Sequence, residues 1–175
     1  TYLVQPNIVD NDIKDIKPSE ELTWDEIKEK YPNVKFPEGM QLKYAEAYAQ
    51  NTDLVGWLKI DKIKMDFPIL QTDNDSYYLK RSFTHRYTDL GNPFLAHANS
   101  IEPLDRNSII YGHSTRSSDK IFSKLFDYRT TRGFINNPII EFNTIYHDYK
   151  WKVYAVFITN ATTAEDNGYF FNYVW

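Results

Sequence analysis

The chain has 175 residues, enough for one domain with a substantial core. With 42% hydrophobic and 25% charged residues and a formal net charge of −4, it has the make-up of a globular domain and lacks the basic patch that nucleic-acid binding requires. No apolar run approaches the roughly 20 residues of a membrane span. Cysteine is absent, which excludes disulfides, thiolate metal sites and thiol catalysis by these residues.

Aromatic residues reach 17%, with 14 Tyr and 11 Phe, and tilt the reading toward β structure. Residues 1–18 are a polar lead-in ending at Pro18, and the chain starts at Thr1 rather than Met, compatible with an upstream signal or anchor that has been removed. Thr23 and Glu26 form the spacing of a capping box, so a short helix starts there and stops at Pro32. Leu42, Ala45 and Ala49 predict a second helix over Glu38 to Gln50.

After Asn51 the pattern changes to strands. "LVGWLKI" (54–60) and "MDFPILQ" (65–71) are the first two, and Pro68 marks the second as an edge or a bulge. "NPFLAHA" (92–98) and "NSIIYGH" (107–113) are the third and fourth. Ile121, Phe122 and Leu125 predict a short helix over 119–127, with Asp119 near its start. "NPIIEFNTI" (137–145) and "YKWKVYAVFIT" (149–159) are two more strands, the last alternating at Trp151, Val153, Ala155 and Phe157. Six short strands with helices in the connections predict a barrel or sandwich. The segment from Asn160 stops at Trp175 inside an aromatic run, and the domain reads as incomplete, because finished folds manage open sheet edges.

Four stretches, in order, carry a family resemblance: "NTDLVGWLKID", "FPILQTDNDSYYL", "LGNPFLAHANS" and "LDRNSIIYGHSTRSSDKIFSKLFDY". With the helical segment before them, they resemble the class B sortases of Gram-positive bacteria, from about Asn51 to about Thr159. The resemblance implies an all-β, eight-stranded sortase barrel (residues 51–175 here, incomplete at the C-terminus) behind an N-terminal helical segment (1–50). It implies a cysteine transpeptidase held at the extracytoplasmic face of the membrane. Such an enzyme cleaves a sorting signal of Asn-Pro-x-Thr type and joins the protein to a cell-wall precursor amine. It needs no cofactor. The family's active-site histidine falls on His113. Its T-L-x-T-C pattern and following arginine are not present, so both belong to last strands that this chain lacks. Two explanations remain open, a fragment of an enzyme or a non-catalytic relative that binds peptide. Either way the chain alone is expected to be inactive.

A thiol attacks as thiolate, an imidazole holds and returns the proton, and an arginine stabilises the oxyanion. Read from the residues alone, His113 is better explained as a strand-end histidine with a structural hydrogen bond, and the resemblance reverses that preference. Period two puts Ile109, Tyr111 and His113 on one face, so Tyr111 is a candidate groove residue. Asn74 and Leu79 are placed in the peptide groove by the resemblance. The competing reading is a turn at Asp73–Asn74–Asp75 and a core leucine. His85, His97 and His147 show no metal-ligand spacing. Asp119 serves as a helix N-cap or as an acid partner for His113. Ser114, Ser117 and Ser118 lack a nucleophile elbow, and Asn160–Thr162 fits a glycosylation pattern by chance.

Overall fold

The computed structural model describes residues 16–114 and 120–157. The capping box forms as the spacing predicts. Thr23 Oγ1 accepts from the Glu26 amide at 3.4 Å, and Glu26 Oε2 accepts from the Thr23 amide at 2.7 Å. These bonds hold the Glu26 carboxyl below its ordinary range. Helix α1 (Trp24–Lys30) follows and buries Ile27. The second predicted helix is shorter than expected: a 3₁₀ turn, Leu42–Tyr44, leads into α2 (Ala45–Gln50). Ala45 and Ala47 are fully buried, small enough to bring α2 close to the sheet, and Tyr44 stacks on Trp57.

The strands are β1 (Leu54–Ile60), β2 (Met65–Leu70), β3 (Phe94–Leu95), β4 (Ile110–Tyr111), β5 (Ile139–Thr144) and β6 (Lys150–Lys152). They form one curled sheet in the order β4-β3-β2-β1-β5-β6. Every pairing is antiparallel except β2 with β3. A parallel neighbour needs a long crossover, and residues 71–93 provide it. β1 lies at the centre. A Cβ on its Gly56 would strike the Asn143 carbonyl and the Phe142 ring of β5, so only glycine lets the two strands approach.

Pro68 is not on an outer strand, because β2 lies between β1 and β3. The β2–β3 ladder touches only at Leu70 opposite Phe94, so β2 is locally open at Pro68. There the Pro68 carbonyl accepts from the Asn92 side-chain amide at 3.0 Å. The bulge lies in β1 between Leu54 and Gly56, opposite Leu70 and Ile69, while Pro68 itself pairs with Trp57.

Each face of the sheet carries its own core. On one, Leu54, Trp57, Leu70 and Phe94 pack with α1, α2, Tyr78 and Phe83. On the other, Leu58, Ile60, Met65, Ile69, Leu95 and Phe142 pack with Tyr128, Phe122 and Leu125. Phe122, Leu125 and Tyr128 sit on a nine-residue 3₁₀ run, Ile121–Arg129, where an ordinary helix was expected. A further helix, α3 (Thr131–Asn136), was not legible. Its Gly133 permits close contact with the Asp127 carbonyl, and Thr130 Oγ1 caps the helix by accepting from the Gly133 amide. β6 is three residues long, not eleven. Beyond it Tyr154, Val156 and Phe157 are exposed, and Ile158 and Thr159 lie outside the described residues.

Candidate active site

The site is built on the end of β4 and on the 71–93 crossover. β4 pairs with β3 through Tyr111 opposite Phe94 and Ile110 opposite Leu95. The tip of this hairpin is closed by Asn99, whose Oδ1 accepts from the Ile109 amide at 2.8 Å and whose Nδ2 donates to Asp105 and to the Asn107 carbonyl. Past Tyr111 the chain passes through Gly112 to His113. A Cβ on Gly112 would lie 2.6 Å from the Phe122 ring, so the glycine allows the 3₁₀ run to close over the strand. The Phe122 amide then donates to the His113 carbonyl at 3.1 Å. Gly112 thus faces Phe122, and alternation turns Tyr111 and His113 the other way.

The His113 imidazole is half-buried, and its Nδ1 lies 3.0 Å from the Asp89 main-chain carbonyl. A carbonyl oxygen only accepts, so this contact places a proton on Nδ1. The Asp89 carboxylate is engaged elsewhere: Lys80 Nζ and the Tyr87 hydroxyl both donate to its Oδ1 at 3.1 Å. Those two bonds, with the Lys80 charge, hold that carboxyl below the ordinary range.

Tyr111 packs its ring 5.3 Å from that of Phe94. Burial pushes its phenol upward, and the Asp75 carboxylate adds to the shift. Asp75 also accepts from the His97 amide at 2.7 Å and pairs with His97 Nδ1 at 2.9 Å. Asn74 forms the turn: its Oδ1 accepts from the Ser76 amide, the Ser76 hydroxyl and the Tyr77 amide. That turn starts the 3₁₀ segment Tyr77–Leu79, and Leu79 packs against the core on the helix-bearing face. The structure therefore puts Tyr111 within electrostatic reach of Asp75, one residue from Asn74, and docks His113 on the far end of the same crossover.

Asp75 and Asp89 were not singled out in the sequence. The only available signal was the turn chemistry of "DND" and "DLGNP", which says nothing about which histidine docks there. The four histidines have separate neighbours. His85 lies beside Tyr77 and Tyr78, His97 beside Asp75, and His147 beside Glu102. Among the described residues, no three His, Asp or Glu side chains are grouped to hold a metal. Asp119, Ser117, Ser118 and Asn160–Thr162 lie outside the described residues.

A second feature lies on the opposite face. Between the outermost strands β4 and β6 is a cavity of about 350 Å³. Ile110, Phe122, Leu125, Ile140, Phe142 and Trp151 line it, with Asn107 and Ser108 at its margin.

The sheet and the elements packed on its two faces superpose on a Staphylococcus aureus sortase B–substrate complex with a TM-score of 0.63 at 25% identity, over 75% of this chain and 58% of that one. In sequence, the sortase B of Staphylococcus aureus is 27% identical over 150 residues, 85% of this chain. The sortase B of Listeria monocytogenes is 32% identical over 111 residues, 63% of this chain. The chain spans 60% and 45% of the lengths of these two curated relatives. No protein-family model matches it. In sequence and in fold the chain is similar to the class B sortases.

Proposed function

We propose that the chain is the peptide-recognising body of a sortase-type cysteine transpeptidase, with His113 as the imidazole that exchanges the proton. The observation that carries this is the half-buried ring at the end of β4, held by a main-chain carbonyl in a chain whose relatives are sortase B proteins. One solved relative is a complex with substrate and another a complex with triglycine, a peptide that carries a free amine. On this reading the substrate here is an Asn-Pro-x-Thr sorting signal, and the acceptor is an amine of a cell-wall precursor. The signal lies along Tyr111 and the Asn74–Leu79 segment. The protein works at the outer face of the membrane, held there by an anchor. Among the described residues no helix is long and apolar enough to cross a membrane.

The chemistry needs a thiolate, and these residues contain no cysteine. Two further strands, bearing the cysteine and an arginine, would complete an eight-stranded barrel. This reading is supported by β4 and β6, the outermost strands among the described residues, which flank the apolar cavity. The 175 residues alone give no turnover of a fluorogenic sorting-signal peptide with triglycine as acceptor. Turnover above that of His113→Ala would overturn this. The second reading, a non-catalytic peptide-binding module, rests on the absence of cysteine. The product of the whole reading frame separates the two. Transpeptidation abolished by His113→Ala establishes the enzyme, and saturable binding of the signal peptide without turnover establishes the binder.

A further inference from the structure

We propose that the Thr88–Gly91 turn is the positioning element of His113: through the main-chain carbonyl of Asp89 it fixes the imidazole as the Nδ1–H tautomer and leaves Nε2 as the nitrogen that exchanges protons. This deepens the reading of His113 as the reactive imidazole and rests on it. A histidine acts through one nitrogen, and which one is set by the bond the other makes. Here Nδ1 is 3.0 Å from an oxygen that carries no proton in any state. The neutral ring therefore has its lone pair on Nε2. When the ring is charged, Nδ1–H stays with the carbonyl and Nε2–H is the proton available to leave.

The turn is built to hold that carbonyl still. Gly91 has φ +61°, a left-handed conformation that side chains disfavour. A Cβ there would also collide with the carbonyls of Tyr78 and Leu79. The Thr88 amide donates to the Lys80 carbonyl at 3.1 Å, the Gly91 amide to the Thr88 carbonyl at 3.4 Å, and the Leu90 amide to Thr88 Oγ1 at 3.3 Å. The Asn92 amide closes the loop on the Tyr78 carbonyl at 3.0 Å. Asp89 is thus used for its backbone. Its side chain is 82% exposed and turned to Lys80 and Tyr87, so it is not the carboxylate partner that a His–Asp dyad would require.

The test is long-range ¹H–¹⁵N correlation on the 175-residue chain labelled at histidine, with the His113 signals identified by their loss in His113→Gln. At a pH where the ring is neutral, the expected result is a proton on Nδ1 and a lone pair on Nε2. The preference should be roughly tenfold, the ratio that one hydrogen bond of ordinary net strength sets. Gly91→Ala shifts the ratio toward Nε2–H by several-fold. Thr88→Val, which removes only the hydroxyl acceptor for Leu90, shifts it in the same direction by less and serves if Gly91→Ala fails to fold. Asp89→Ala keeps the carbonyl and leaves the ratio unchanged. A wild-type proton on Nε2, a ratio untouched by the turn variants, or an Asp89→Ala effect as large as theirs overturns the proposal. A His113→Ala enzyme that still turns over, with the wild-type tautomer as expected, would sink the catalytic reading and leave this assignment standing.

Discussion

Gly56→Ala tests whether close approach at the centre of the sheet holds the fold together. The new methyl group would meet the Asn143 carbonyl and the Phe142 ring at once. The ring can turn, but the carbonyl belongs to β5, which is paired with β1 from Gly56–Thr144 to Lys59–Glu141. The strands must separate or the bulge at Leu54/Gly56 must shift. Overpacking of this kind costs about 1–3 kcal/mol, and the rigid partner puts this case near the top of that range. For a domain of this size 1 kcal/mol moves the melting temperature by roughly 2–4 °C. Far-UV circular dichroism should therefore show melting about 6–12 °C below wild type. Gly39→Ala is the internal control: φ is +77°, but nothing lies within 4 Å of the added carbon. It costs backbone strain alone, about 1–2 kcal/mol, or roughly 2–8 °C. If Gly56→Ala melts no lower than Gly39→Ala, the crowding argument fails.

Two further substitutions test how the crossover and the helices are fastened. The buried Tyr78 hydroxyl donates to Asp53 Oδ2 at 2.6 Å and accepts from Asn51 Nδ2 at 2.9 Å, and burial raises its phenol pKa far above the ordinary value. Tyr78→Phe leaves Asn51 bonded to the Phe83 carbonyl but orphans part of the network. A loss of about 1–3 kcal/mol by urea denaturation is expected, and a neutral result would show that the network adds nothing. Lys43 reaches Asp148 at 2.6 Å. Burial pushes the Asp148 carboxyl up, but the bonds from Lys43 and Gln41 outweigh it and leave the pKa lowered. A lowered acid contributes stability above its unfolded pKa, near 4, and loses it as pH falls through the folded value. Lys43→Met should be less stable than wild type by under about 1 kcal/mol at neutral pH. The two should converge as pH falls below about 4. A difference independent of pH would assign the effect to packing.

Local chemistry fixed what lies within a few residues. Thr23 and Glu26 cap α1 because both groups belong to the same turn. The 54–60 and 65–70 strands follow from apolar patterning, and "YGH" marks the end of β4. The ordered set of such stretches was enough to carry the resemblance to the class B sortases that the sequence and fold comparisons also find. Tertiary structure decided the rest. The parallel β2–β3 pair, the docking of Asp89 on His113 across 24 residues, and the pairing of Asp75 with His97 all join groups far apart in the chain. Asn74 shows the boundary: its turn bonds are local and readable, whereas what lies against that turn depends on where β4 is placed. Hydrogen bonds closed within one turn are encoded by neighbouring residues. Those closed across the sheet depend on register and on glycines at 56, 91 and 112, whose need appears only once the opposing backbone or ring is in place.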